Sequence, residues 1–205
     1  MTDFNASVCI FCGSRMGTDP EIERTANALG TWLARSGVRL VYGAGGTGVM
    51  GAIAAAVRKA GGRTLGVIPS HLVQRESAEL HLDNCIVTND MHSRKEVMFV
   101  NSDAVVALPG GPGTLDELFE VLTWRQLGMH GKPVLLLNVN GFWDPLLELI
   151  EHQIKAGFAD WSFRESLEDF RAEGRLIQRL GQVLGCGAGG HLRQDAPGVN
   201  RKEAD

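Results

Sequence analysis

The chain has 205 residues, 44% of them hydrophobic and 21% charged, and its formal net charge is −4. This length and composition fit one globular domain, and the weak negative charge argues against a surface that binds nucleic acid. The first residues lack a basic leader followed by an apolar segment, and no apolar run approaches the ~20 residues that cross a bilayer, so we expect a cytoplasmic protein without membrane contact.

The first predicted strand, Ser7–Phe11, lies in a segment with a CxxC spacing, formed by Cys9 and Cys12. Residues three apart on a strand point to opposite faces, which disfavours a shared redox or metal site. The other cysteines form no second CxxC, and the six histidines have no metal-binding spacing. We interpret the cysteines as packing thiols of a reducing compartment, with a redox or metal pair as the minor alternative, and we expect no metal.

Apolar runs and helical patterns alternate along the chain. The runs are continuous, as in parallel strands that are covered on both faces. Strands are predicted at Ser7–Phe11, Val38–Tyr42, Thr64–Ile68, Asn84–Val87, Ala104–Leu108 and Pro133–Asn138, with a further edge strand at Leu167–Ala172. Helices are predicted at Pro20–Ser36, Gly48–Ala60, Met91–Asn101, Leu115–Leu127, Phe142–Ala156 and Arg175–Leu184.

This alternation of strands and helices predicts the fold class. It is typical of an α/β domain with right-handed crossovers, so we expect a single-domain, doubly wound, mainly parallel Rossmann-like sheet with helices on both faces. Residues 1–185 would form this domain, and the Gly-rich, polar residues 186–205 would form a flexible C-terminal tail. Ligands of such sheets bind outside the carboxyl ends of the strands, so the loops after the strands carry the functional signal.

The loop after the second strand is rich in glycine. Gly43, Gly45 and Gly48 match a GxGxxG pattern between a strand and a helix, where backbone N–H groups hold phosphate. A dinucleotide site also requires an acidic residue at the end of the next strand, but that strand ends in Pro69 and Ser70. The loop therefore favours a mononucleotide, and tight packing of the strand against the helix is the structural alternative.

The helix after the fourth strand opens with two adjacent cations, Arg94 and Lys95. Cations in the first turns of a helix oppose its dipole, at a cost of a few tenths to about 1 kcal/mol, unless an anion lies nearby. An anionic ligand would compensate. An Asp90–Arg94 pair with a solvated Lys95 is an alternative that the residues alone leave open.

The fifth strand is followed by the segment PGGPGTLDE, residues 109–117. Its prolines and glycines fix the path of the backbone and leave N–H groups exposed. Its last residue, Glu117, lies three residues after Thr114, which is the spacing of a helix capping box. Composition alone therefore favours a capping role for Glu117 over a chemical one.

Taken in order, the motifs GxGGxGxxG, MHxRK and PGGxGTxxE resemble the LONELY GUY family of cytokinin riboside 5′-monophosphate phosphoribohydrolases, from about Val8 to Phe158. Relatives of this family were long mislabelled lysine decarboxylases. The resemblance implies a Rossmann-like fold, a homodimer or a larger ring of dimers, and no cofactor. It also implies hydrolysis of the N-glycosidic bond of an adenine-type nucleoside 5′-monophosphate, with release of free base and ribose 5-phosphate.

The same resemblance implies the site residues. Arg94 and Glu117 match the catalytic pair. The residues expected to bind substrate are Gly13, Ser14, Gly45, Gly46, Glu76, Arg94, Lys95, Gly110, Gly111, Pro112, Gly113, Thr114, Leu115, Asp116, Glu117 and Thr123. Many plant members have Tyr where this chain has Pro112 and Glu where it has Asp116, and Ala44 interrupts a more usual run of three glycines. The resemblance therefore leaves the preferred base open, plain or N6-modified adenine included.

The chemistry asked of these residues is limited. Cleavage of a ribosyl C–N bond builds positive charge on the sugar, which a carboxylate such as Glu117 can stabilise. Arg94 would hold the 5′-phosphate or the leaving base, and Lys95 would add positive potential. A non-catalytic nucleotide or molybdopterin carrier on the same fold is the rival hypothesis, and a pyridoxal-phosphate decarboxylase is disfavoured because Lys95 is the only lysine within a motif.

Overall fold

A computed structural model describes residues 4–76 and 85–186, with only the backbone for residues 74–76. The strands are β1 (Ala6–Phe11), β2 (Val38–Tyr42), β3 (Thr64–Pro69), β4 (Cys85–Thr88), β5 (Ala104–Ala107), β6 (Val134–Leu137) and β7 (Leu167–Phe170). The helices are α1 (Pro20–Arg35), α2 (Gly48–Lys59), α3 (Ser70–Glu76), α4 (Met91–Val100), α5 (Pro112–Gln126), α6 (Asp144–Lys155), α7 (Trp161–Glu165) and α8 (Glu173–Val183), with a short 3-10 turn at Val139–Gly141.

The seven strands pair in parallel in the order β4-β3-β2-β1-β5-β6-β7. The chain builds the sheet outward from β1 through β4 and then returns to the other side of β1 with β5. The order of the strands therefore reverses between β1 and β5, which is the place where open α/β sheets bind their ligands. The doubly wound, Rossmann-like prediction is confirmed.

Two hydrophobic cores lie on the two faces of the sheet. One core packs the sheet against α1, α2 and α8, and the other packs it against α4, α5, α6 and α7. Successive residues of β1 alternate between these cores, so Cys12 belongs to the first and Cys9 to the second. Both are buried free thiols whose pKa burial raises, which confirms the packing interpretation for this pair.

The structure corrects the sequence prediction mainly at the helices. The short helices α3 and α7 were not predicted, because five to seven residues are too few to show an apolar period. Helix α5 begins at Pro112 and not at Leu115. Proline suits the first position of a helix, since its φ is already near the helical value.

The remaining boundaries agree to within a few residues. The last edge strand is confirmed, although it is shorter than predicted and ends at Phe170. Strand β4 begins at Cys85, and the predicted first residue Asn84 lies outside the described residues. Of the predicted tail, residues 186–205, only Cys186 is described, and its N–H donates to the carbonyl of Gly181 over 2.8 Å; residues 187–205 lie outside the described residues. No helix in residues 4–76 and 85–186 is long and apolar enough to cross a membrane.

Candidate active site

A cavity of about 960 Å³ opens at the carboxyl end of the sheet. The loops after β1, β2 and β5 form most of its wall, because these strands are neighbours at the point where the strand order reverses. The lining residues are Cys12, Gly13, Ser14, Arg15, Met16, Gly17, Ile22, Gly43, Gly45, Thr47, Met50, Ile68, Leu72, Arg94, Pro109, Gly110, Gly111, Pro112, Gly113, Thr114, Glu117 and Phe142.

Backbone contacts join the three loops into one wall. The N–H of Gly13 donates to the carbonyl of Pro109 over 3.1 Å, and the carbonyl of Gly13 accepts the N–H of Met50 over 3.2 Å. The Thr47 hydroxyl donates to the carbonyl of Ser14 over 3.1 Å. The loop after β1 is thereby held between the loop after β5 and the first turn of α2.

Arg94 is fixed in the floor of this cavity and is 7% exposed. Its Nε donates to the carbonyl of Val67 at the end of β3 over 3.2 Å, and its Nη2 lies 3.7 Å from Oε1 of Glu117. The carboxylate of Asp90 instead caps α4 by accepting the N–H of Ser93 over 2.7 Å. The alternative in which Asp90 pairs with Arg94 is therefore wrong.

Gly43 makes room for the Arg94 guanidinium. A Cβ atom at residue 43 would overlap Nη2 of Arg94. The first glycine of the GxGxxG pattern is thus needed because the Arg94 side chain lies directly against the backbone of residue 43. This reason differs from the one the sequence suggested, which was phosphate contact or strand-to-helix packing.

The start of α5 decides the role of Glu117. Gly111 is the N-cap residue and Pro112 the first helical residue, so Thr114 lies inside the first turn and Glu117 in the second. Thr114 is buried and is not a cap residue. The capping-box interpretation is wrong, because the glycines and Pro112 begin the helix earlier than the Thr114-x-x-Glu117 pattern suggests.

Glu117 is a buried carboxyl group, 6% exposed. Burial raises the pKa of Glu117 to about 7, although the positive charge of Arg94 opposes this rise. A carboxyl group with a pKa near neutrality can both carry a negative charge and exchange a proton at working pH. Buried acids of this kind, next to a cation in a cavity, are typical of functional sites.

Backbone donors are free at the start of α5. Within the described ranges, the N–H groups of Gly110, Gly111 and Gly113 have no protein acceptor. At the start of α2, by contrast, Gly46, Gly48 and Val49 do not line the cavity, and the N–H of Met50, which does line it, is already bonded to Gly13. Free N–H groups at a positive helix end bind anions, so the start of α5 is better suited than α2 to receive a phosphate.

The structure brings most of the predicted site residues into one cavity. Those that line it are Gly13, Ser14, Gly45, Arg94, Gly110, Gly111, Pro112, Gly113, Thr114 and Glu117. Those that are described and do not line it are Gly46, Lys95, Leu115, Asp116 and Thr123. The side chain of Glu76 lies outside the described residues.

Lys95 is the clearest difference from the sequence-based expectation. Its Nζ lies 3.0 Å from Oδ2 of Asp116 and 3.0 Å from Oε2 of Glu120. Its side chain is only 11% exposed, so it is not a solvated cation either. Lys95 joins α4 to α5 behind the cavity wall.

Several lining residues were not predicted from the sequence. Met16, Ile22 and Phe142 add an apolar wall, and Arg15 adds a second cation. Arg15 could have been found, because it follows the first strand at the end of the sheet where ligands bind. Phe142 could not, since a turn with left-handed backbone at Asn140 brings it to the cavity from a distant part of the sequence.

Comparisons with known proteins identify relatives. A family model described as "Possible lysine decarboxylase" matches residues 50–177. A cytokinin riboside 5′-monophosphate phosphoribohydrolase of Arabidopsis thaliana is 46% identical over 173 residues, which are 84% of this chain and 80% of that protein. A second Arabidopsis protein of that name is 42% identical over 173 residues, 84% of this chain and 81% of its own.

One solved structure extends the comparison to the fold. The molybdenum cofactor carrier protein of Chlamydomonas reinhardtii is 26% identical to this chain and superposes on it with a TM-score of 0.66. The alignment covers 88% of this chain and 98% of the carrier protein.

Proposed function

This chain belongs to the LONELY GUY family, and we propose that it hydrolyses the N-glycosidic bond of a nucleoside 5′-monophosphate. The two Arabidopsis proteins described above are named cytokinin riboside 5′-monophosphate phosphoribohydrolases. Water and the nucleotide would yield a free adenine-type base and ribose 5-phosphate. The observation that carries the proposal is the buried Arg94–Glu117 pair in a cavity of about 960 Å³.

Glu117 has the properties that the bond cleavage requires. Its ionised carboxylate would stabilise the oxocarbenium-like sugar as the base leaves, and it would then take a proton from the attacking water. Passing that proton on to the base nitrogen would release a neutral base and return Glu117 to its ionised form. Arg94 stabilises the ionised form, since its charge opposes the rise in the pKa of Glu117. We therefore assign Glu117 to the chemical step and Arg94 to holding and tuning that carboxylate.

The phosphate would lie at the start of α5. The free N–H groups of Gly110, Gly111 and Gly113 offer hydrogen bonds, and the positive end of the helix dipole attracts a dianion. The apolar wall that includes Met16 and Phe142 would receive the base, since a purine ring buries best against apolar side chains.

The description of the matching family as a possible lysine decarboxylase has no support in the site. A pyridoxal-phosphate enzyme needs a lysine in the cavity to form a Schiff base. Among the described residues that line the cavity there is no lysine. Lys95, the one lysine within a motif, is paired with Asp116 and Glu120 behind the wall.

A carrier function is the second candidate, because the solved structure above is a carrier of similar fold. Pure binding of an anion does not call for a buried carboxyl group beside it, since that group repels the ligand when it ionises. Incubation with AMP, followed by chromatography of the products, separates the two functions. We expect free adenine and ribose 5-phosphate in equal amounts; tight binding of AMP without product would favour the carrier.

A cytoplasmic location and a homodimer, or a multiple of it, belong to the same proposal. The location is supported by the free thiols of Cys9 and Cys12, which a reducing compartment preserves. The dimer is supported by large apolar side chains that stay exposed in the single chain, among them Val100, Leu127 and Met129.

A further inference from the structure

The cavity offers a bound nucleotide no unpaired positive side chain unless one further residue takes part. Among the described lining residues the ionisable side chains other than the buried Cys12 are Arg15, Arg94 and Glu117. Arg94 and Glu117 face each other and largely cancel when both are ionised. Arg15 is the remaining charge, and a nucleoside monophosphate brings a phosphate with two negative charges near neutral pH.

Arg15 is free to bind an anion. Its guanidinium makes no hydrogen bond and no ion pair with any of the residues 4–76 and 85–186, and the residue is exposed to solvent. The other candidate cations are occupied, because Arg94 bonds to Val67 and pairs with Glu117, and Lys95 pairs with two carboxylates.

The backbone of Arg15 is nevertheless held in one place. The neighbouring Ser14 accepts the Thr47 hydroxyl, and the close-packed Gly48 leaves no room for a Cβ atom against the peptide between Ser14 and Arg15. Two residues earlier, Gly13 bonds to Pro109 and approaches Gly110 so closely that a Cβ atom at residue 13 would lie 3.3 Å from the Gly110 Cα. A free cation is thus anchored next to the loop that opens α5.

We propose that Arg15 determines the specificity for the 5′-phosphate, by closing over a phosphate that the start of α5 receives. Arg15 then supplies the positive charge that the sequence-based hypothesis assigned to Arg94 and Lys95. Arginine suits this task because its planar guanidinium can donate two parallel hydrogen bonds to phosphate oxygens. The inference rests on the proposed function and adds the residue by which the protein would discriminate nucleotides from nucleosides.

The first experiment measures selectivity. Arg15→Ala and Arg15→Lys are compared with wild type on AMP and on adenosine, with free base as the readout. We expect Arg15→Ala to raise the KM for AMP roughly 10- to 100-fold, the range for a lost hydrogen bond to a charged group, with a smaller change in kcat. Turnover of adenosine should stay as in wild type, and Arg15→Lys should recover part of the AMP affinity.

The matched control is Arg58→Ala. Arg58 is an exposed arginine in the last turn of α2 and does not line the cavity. Its substitution should leave the KM for AMP unchanged. An equal rise in KM for both variants would show that general charge alone attracts the nucleotide, and it would overturn the proposal.

A binding experiment separates this inference from the proposed function. Calorimetry with ribose 5-phosphate and with ribose needs no turnover. Wild type should bind ribose 5-phosphate, Arg15→Ala should bind it roughly 10- to 100-fold more weakly, and Arg58→Ala should match wild type. This result would support Arg15 even if no nucleotide were hydrolysed, whereas unchanged affinity in Arg15→Ala would overturn the inference while base release from AMP still stood.

Discussion

At the scale of single residues, Glu117 has to be both buried and ionised, and these two requirements conflict. The proposed reaction calls for an ionised carboxylate, but the burial of Glu117 disfavours this form and raises its pKa to about 7. Arg94 offsets this cost only in part, because its Nη2 lies 3.7 Å away, beyond normal hydrogen-bond distance. The ionised fraction of Glu117 should therefore change strongly around neutral pH.

The pH dependence of the reaction follows from that pKa. Since the proposed mechanism uses the ionised carboxylate, kcat/KM for AMP should rise tenfold per pH unit below about 7 and become constant above it. Initial rates at low substrate concentration between pH 5 and 9 measure this. A kcat/KM that stays flat from pH 5 to 8 would contradict the assigned role.

Glu117→Gln tests chemistry and stability together. Gln keeps the shape but supplies no charge, so turnover of AMP should fall by at least ~100-fold. Since the folded pKa of about 7 exceeds the ordinary 4.5, the unfolded chain releases this proton first as the pH rises. The contribution of Glu117 to the wild-type free energy of unfolding should therefore decrease between pH 4.5 and 7, by roughly 3–4 kcal/mol at about 1.4 kcal/mol per pH unit.

Glu117→Gln should lack this decrease. Urea unfolding of both proteins at pH 5 and pH 8 gives the comparison, and the difference between the two pH values removes any constant effect of the substitution on Arg94. Near-normal turnover by Glu117→Gln would show that the carboxylate has no chemical role.

Gly43→Ala tests the close approach of Arg94. The new methyl group would overlap Nη2 and displace the guanidinium from Glu117. Misplacement by about 1 Å can cost roughly 100-fold in rate, so we expect a fall in kcat of that order with the protein still folded. Gly174→Ala is the matched control, since a Cβ atom there meets nothing within 4 Å and the rate should not change.

At the scale of elements, the contact between α4 and α5 holds the proposed catalytic pair together. Arg94 and Glu117 lie on these two helices, and Lys95 bridges the same helices one residue further along α4. The bridge ends on Glu120, whose side chain is only 17% exposed. We interpret Lys95 as a residue that positions the helices.

Lys95→Met should therefore act on stability first. It removes the ammonium group from the largely buried carboxylate of Glu120, which keeps the imidazole of His92 3.4 Å from its Oε1, and this loss should cost about 1–3 kcal/mol of unfolding free energy. Affinity for ribose 5-phosphate should stay close to that of wild type. Lys155→Met is the control, because the side chains of Lys155 and its partner Glu151 are 69% and 43% exposed and pairs at the surface contribute little. A large loss of ribose 5-phosphate affinity in Lys95→Met would instead support direct substrate binding.

The whole molecule places its site at the reversal of strand order and leaves apolar side chains exposed elsewhere. Val100, Leu127 and Met129 are each more than 60% exposed. We expect light scattering to give twice the 22.1 kDa chain mass, or a multiple of that, since association would bury such side chains. A fully active species at the mass of one chain would contradict this.

The sequence determined the fold and most of the cavity wall. Continuous apolar runs and helical periods are local properties, so six of the seven strands and the doubly wound order follow from them, and the seventh strand was expected at nearly the right place. The loops that carry GxGxxG and PGGPG could be placed at one edge of the sheet for the same reason, because parallel strands all end there.

The tertiary structure decided what each charged residue does. The pKa of Glu117, the carboxylate partners of Lys95 and the freedom of Arg15 depend on which segments become neighbours and on how much water is excluded. The effect of a charged group depends on its distance to other charges and on its burial from water, and the spacing of residues along the chain encodes neither the distance nor the burial. Local motifs could therefore identify Arg94, Lys95 and Glu117 as candidate site residues, but only the packing of α4 against α5 showed which of them face the cavity.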